Sequence, residues 1–273
     1  MEPASLTLTR DELLAFLAIM GASTINGLGD DPLAGLSEAE IETRLNSGEQ
    51  SLLNRGLIEP QGADNVALDD ALVALVGGAV IPEATFLLTQ TQPDGLTDPH
   101  YFDATPELLV EHYSPRAGIY MFNHLPDPQS LVYRVETLLA PLHPLTDGRG
   151  RFARSVSAAA MTQFLESSRK GDRDAAELAL TTDGCPADMA AALAGECATL
   201  PSWIGVVAWG LREEQPAGGN SLMAIMGQDG CWLVENVPDQ SEQVKVRSAS
   251  GRECEAAFVA MLQPLSQTLD HTQ

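Results

Sequence analysis

Three histidines, His100, His112 and His124, recur at intervals of twelve residues, on or at the ends of three successive strand-like stretches. With Glu111 or Asp103 they supply the side-chain types of a zinc site. Period-two alternation, however, puts Glu111 and His112 on opposite faces of a strand. A similar stretch further along carries Asn236 in the place of His112. We therefore read the histidines as surface or hydrogen-bonded groups and expect no metal. The four cysteines, Cys185, Cys197, Cys231 and Cys254, lack a Cys-x-x-Cys spacing and read as buried free thiols. Asp69-Asp70 and Glu213-Glu214 are adjacent carboxylates of the solvated kind. Gly27-Leu28-Gly29 lacks both the third glycine and the preceding strand of a nucleotide loop. No nucleophile elbow, Walker loop or His-Glu-x-x-His is present. The sequence predicts no catalytic set and no cofactor.

Composition narrows the classes further. A chain of 273 residues with 44% apolar content can bury a large core, and no apolar run reaches the length of a membrane span. Met1-Glu2-Pro3-Ala4 lacks the basic-then-apolar pattern of a secretory signal, so a cytoplasmic location is expected. The formal charge is −23, and only Lys170 and Lys245 among the fifteen basic residues are lysines. Such a field repels phosphate backbones, so nucleic acid is not an expected partner. Arg149, Arg151, Arg154, Arg169, Lys170 and Arg173 form a basic cluster, read as a solvated helix face.

The chain is organised around a unit of about eighty residues met twice, Leu68 to Leu145 and Asp188 to Leu269. Ile81-Pro82 answers Leu200-Pro201, Leu109-Val110-Glu111-His112 answers Leu233-Val234-Glu235-Asn236, and Leu138 to Leu142 answers Met261 to Leu265, at offsets of 119, 124 and 123. Each unit reads as helix, four strands, helix. In the first unit the strands are 84–90, 100–103, 108–113 and 119–124; in the second, 203–211, 221–227, 231–237 and 243–246. Pro93-Asp94-Gly95 and Gln228-Asp229-Gly230 have the chemistry of tight reversals. Asp127 and Ser250 cap the closing helices 129–139 and 252–262. The expected fold is α+β: two pseudo-twofold halves, each an antiparallel meander with flanking helices, with an N-terminal arm and a central helical insert. The expected divisions are 1–66 (arm), 67–147 (first half), 148–185 (insert) and 186–273 (second half).

Capping boxes at Thr9–Glu12 and Ser37–Glu40 start two helices in the arm. The second helix breaks near 46–48 and closes at Gly56. Its outline is a winged helix, but Glu49, Gln50, Asn54 and a single Arg55 make a poor reader of DNA. In the insert, Phe152, Val156, Ala159, Ala160, Gln163 and Phe164 are expected on one long helix and 173–180 on a second.

The segment Leu52-Leu53-Asn54-Arg55-Gly56-Leu57, the second-unit strands and the order arm, half, insert, half resemble the EspG family of type VII secretion-associated chaperones. The resemblance implies a cytosolic, non-enzymatic protein that shields an aggregation-prone helical client. A duplicated scaffold with no reactive constellation points independently to a binding or adaptor protein. Two rivals stand beside it: a winged-helix regulator, and an enzyme of unrecognised type with a deep polar pocket. Contact with a client is expected at the polar turns 92–98 and 213–219, through Asp94, Leu96 and Gln215. It is expected most of all on the insert, through Phe152, Val156 and Phe164.

Overall fold

The computed structural model describes residues 5–29, 31–62, 65–92, 94–145, 152–197, 202–212, 215–227, 230–237 and 240–263; within 210–219 and at 241 only the backbone is considered. Met1 to Ala4, Pro93, Arg149, Arg151, Leu200-Pro201, Glu213-Glu214, the Gln228-Asp229 turn, Pro264-Leu265 and Leu269 lie outside the described residues.

The first half runs β1 (Ser5–Thr9), α1 (Arg10–Met20), α2 (Glu38–Asn54), a hairpin β2 (Ile58–Pro60) and β3 (Val66–Leu68), then α3 (Asp70–Leu72) and α4 (Gly78–Val80) joined by a π turn, Val73–Gly77. The meander β4 (Ala84–Thr91), β5 (Thr97–Ala104), β6 (Leu109–Arg116) and β7 (Ile119–His124) follows, then α5 (Pro128–Leu138) and a 3-10 turn, Ala140–Leu142. The second half runs β8 (Ala153–Ser157), α6 (Ala158–Arg169), α7 (Arg173–Thr182) and α8 (Ala187–Glu196). Its meander is β9 (Ser202–Arg212), β10 (Gln215–Met226), β11 (Cys231–Val237) and β12 (Gln240–Ala249), closed by α9 (Gly251–Ala260).

Ten of these strands form one antiparallel sheet in the order β1-β7-β6-β5-β4-β9-β10-β11-β12-β8. Read from either end, each half presents its own first strand outermost and the first strand of its meander at the centre. The halves meet where β4 pairs with β9, from Ala84↔Gly210 to Thr91↔Trp203, with Leu87 opposite Val207 in the middle. One face of the sheet carries a continuous core from both halves: Phe86, Leu88, Phe102, Leu109, Ile204, Val206, Leu222 and Leu233, covered by α5 and α9. On the other face the halves have separate cores. Leu8, Leu13, Phe16, Leu52, Leu75 and Phe122 pack the first; Val156, Phe164, Leu180, Leu193, Trp232 and Val246 pack the second.

Local chemistry sets the element boundaries. The expected capping boxes are present: Thr9 accepts from the Glu12 N–H while the Glu12 carboxylate accepts from the Thr9 N–H, and Ser37 and Glu40 do the same. Asp127 and Ser250 cap α5 and α9 as expected. Gly56 sits at φ +68°, the left-handed close after α2.

The structure corrects three expectations. The break expected near Gly48 is absent: α2 is continuous, and a Cβ at Gly48 would lie 2.0 Å from the Asp11 carbonyl oxygen. Glycine there permits close approach of α1 and α2 rather than ending a helix. The insert is not purely helical either. Ala153–Ser157 is the edge strand β8, paired with β12, and α6 begins only at Ala158, where Ser157 accepts from the Ala160 N–H. Finally, 215–219 belongs to β10 rather than to a loop, with a register shift between Ala217 and Asn220. Gly218-Gly219 at that bulge is what hid the strand from an alternation reading.

Candidate protein-binding groove

Of the contact residues expected from sequence, Phe152, Val156 and Phe164 come together in the second half's core, apart from Asp94, Leu96 and Gln215. Val156 is 1% exposed and Phe164 fully buried, both packed in the second half's own core. Val156 points from β8 and Phe164 from α6 into that core, so both side chains are used within the chain's own packing. Phe152 is half-buried and stacks on Trp232 at 5.8 Å between ring centroids. Leu96 is 68% exposed at the tip of the β4–β5 hairpin, where Asp94 accepts from its N–H at 3.0 Å. Gln215 starts β10 opposite Arg212. Because β4 and β9 run antiparallel, Leu96 lies beyond the Trp203 end of the sheet and Gln215 beyond the Gly210 end.

The histidines are separated as well. His100 and Glu111 face α5: His100 Nδ1 lies 2.8 Å from Glu111 Oε1, and Arg134 Nε donates to both oxygens of that carboxylate at 2.8 and 3.0 Å. Burial pushes Glu111 up, but His100 and Arg134 outweigh it and hold the carboxyl below its ordinary range. His112 lies on the opposite face, its Nε2 2.8 Å from Asp103 Oδ2, while Asp103 Oδ1 accepts from the Thr85 hydroxyl at 2.6 Å.

The feature with the shape of a binding site is one that a search for reactive residues passes over. A single row of side chains crosses all ten strands on the face opposite α5 and α9. From β1 to β4 the pairings give Leu6, Phe122, His112, Tyr101 and Leu87. From β9 to β8, with the β10–β11 register carried one residue past Leu222↔Glu235, the row continues through Val207, Ser221, Asn236, Val244 and Val156. In the first half rings stack along the row, Tyr101 on His112 at 4.8 Å and His112 on Phe122 at 5.5 Å, while a cavity of about 640 Å³ lies over Leu87 and Tyr101, bordered by Thr24, Asn26 and Gly27. In the second half, Ser221, Asn236 and Val244 carry no rings. A cavity of about 290 Å³ remains there, walled by Met161, Thr162 and Leu165 of α6 and floored by Val207, Ser221 and Asn236. The row is open at its centre, where Val207 is 38% exposed.

Helix connections reinforce the difference. In the first half, residues 21–37 join α1 to α2, and this long loop buries Ile25 and Leu28 and brings Gly27 against the Tyr101 ring. In the second half, α6 and α7 are joined by 170–172 alone. Among the described residues nothing equivalent reaches over the row in this half. Arg169, the last residue of α6, lies over the Trp203 ring, 4.4 Å from its centroid. The sequence signal for the cavity is the exchange of His112 for Asn236, which removes a ring from the row.

No family model matches the sequence, and no curated protein matches it. The architecture is nonetheless an α+β scaffold similar to a solved one, in line with the resemblance drawn from the layout of the chain. Among solved structures, the Mycobacterium tuberculosis type VII secretion system chaperone EspG5, in complex with a PE25-PPE41 dimer, matches 95% of this chain and 96% of its own, with a TM-score of 0.65. At 14% identity the likeness is one of fold.

Proposed function

We propose that this chain is a non-enzymatic binding protein, a chaperone or adaptor, that seats an apolar side chain of a helical protein client in the cavity between α6 and strands β9–β12. The observation that carries the reading is the contrast along the row: rings of His112 and Phe122 stack in one half, where the other has Asn236 and Val244 beside a cavity walled by Met161 and Leu165. A cavity of this size accepts one large side chain and, being floored by Ser221 and Asn236, can also meet a backbone polar group of the client. The neighbouring fold was solved holding a protein dimer, which supports a protein rather than a small molecule as occupant. Action in the cytoplasm on a client bound for secretion belongs to the same proposal; among the described residues no helix is long and apolar enough to cross a membrane.

The test is to fill the cavity. Ser221→Tyr places a ring where Tyr101 stands in the other half. The variant should melt at or above the wild-type temperature while capture from the native source drops at least tenfold, the loss of one anchor of about 1.4 kcal/mol or more. Phe152→Ala serves as the control and should leave capture intact. A filled variant that still captures its partner at full yield overturns the proposal.

A further inference from the structure

Cys231 opens β11, in register between Met226 of β10 and Ala249 of β12, and its side chain points into the core shared with α5 and α9. Cys254 stands in α9 and points back at it. Both are fully buried, and their sulfurs are 2.9 Å apart. Two cysteines can be bridged without backbone movement only where the fold already sets the sulfurs face to face, and here they stop about 0.9 Å short of a bond. We propose that Cys231 and Cys254 are a disulfide-forming pair that latches α9 to the sheet when the protein meets a hydroperoxide.

The chemistry balances with that oxidant. One thiol attacks the peroxide O–O bond, giving a sulfenic acid and releasing an alcohol, or water from hydrogen peroxide. The second thiol then attacks the sulfenic sulfur and displaces water. Two thiol hydrogens and two electrons leave the protein, and the peroxide is reduced. Hydrogen bonding from Cys254 and burial both push the Cys231 thiol up, so thiolate is scarce and the reaction slow. That suits a durable cross-link rather than a rapid sensor. Cys185 and Cys197 are buried in the core on the opposite face, and burial pushes Cys197 up to about 12; they are internal controls.

The pair is tested on the wild-type protein, so the result does not depend on a core variant folding. Hydrogen peroxide should lower the thiols titrated after denaturation from the four in the sequence to two. Intact mass should fall by about 2 Da, with the 231–254 link found in the peptide map. Melting temperature should rise by about 5 °C and return on reduction with dithiothreitol. Four thiols after exposure, a gain of oxygen mass, a bridge through Cys185 or Cys197, or a link that fails to raise the melting temperature would each overturn the proposal.

Discussion

Glu111 and Glu12 are carboxylates that the fold has taken out of water and kept charged. Glu12 accepts from the Ser51 hydroxyl at 2.7 Å and from Arg55 at 2.8 Å while completing its own capping box. Burial opposes its charge, and these partners outweigh burial, so its carboxyl too lies below the ordinary range. For Glu111 the sign of the pH effect follows directly. A depressed carboxylate contributes stability above its unfolded pKa, and that contribution is lost as pH falls through the folded value. Arg134→Met should therefore cost about 2 kcal/mol at pH 7, and the deficit should be smaller at an acidic pH below the depressed folded value of Glu111. Urea unfolding at both pH values measures it; a deficit independent of pH would mean that Arg134 contributes packing alone. Gly48 makes the opposite kind of case, where a small residue matters by absence. Glycine to alanine inside a helix ordinarily stabilises by roughly 0.5–1 kcal/mol. Here the new Cβ would meet backbone oxygen at 2.0 Å and the Ala15 Cβ at 2.9 Å. Gly48→Ala should instead destabilise by about 2 kcal/mol, visible as a lowered melting temperature.

At the scale of elements, the sequence was most informative where local chemistry and burial agree. The strand Ile119–His124 and the strand Cys231–Val237 have the bounds read from alternation, and the caps at Asp127 and Ser250 hold their helices. Elements whose identity depends on distant partners are not legible in a local window. Ala153–Ser157 has one buried side chain in five and only Val156 to mark it; it is a strand because β12 lies beside it, which no local window contains. The glycine pair in β10 reads as loop for the same reason. Phe164 looked like a client anchor because an amphipathic stripe shows that a face is buried, without showing what buries it. The cavity was harder still, since it consists of residues that are small only by comparison with Tyr101, His112 and Phe122 across the sheet.

In the whole molecule, both outermost strands have side chains laid against them. Arg55 donates to the Thr7 carbonyl on β1, and Asp183 accepts from the Ser157 N–H on β8, an arrangement that discourages further strands from adding to the edge. The strand order carries one more consequence. Every pairing in the large sheet except β4 with β9 lies wholly before residue 146 or wholly after 151. The polypeptide is therefore divisible: fragments 1–147 and 148–273 each contain a complete five-strand set, yet each alone leaves its share of the common core uncovered at the β4 or β9 edge. Co-expressed, the two should complement each other as a split protein, co-eluting as a one-to-one complex with a single cooperative melt, while either fragment alone should aggregate. If both fragments stay monomeric and soluble without associating, the shared core is not what joins the halves.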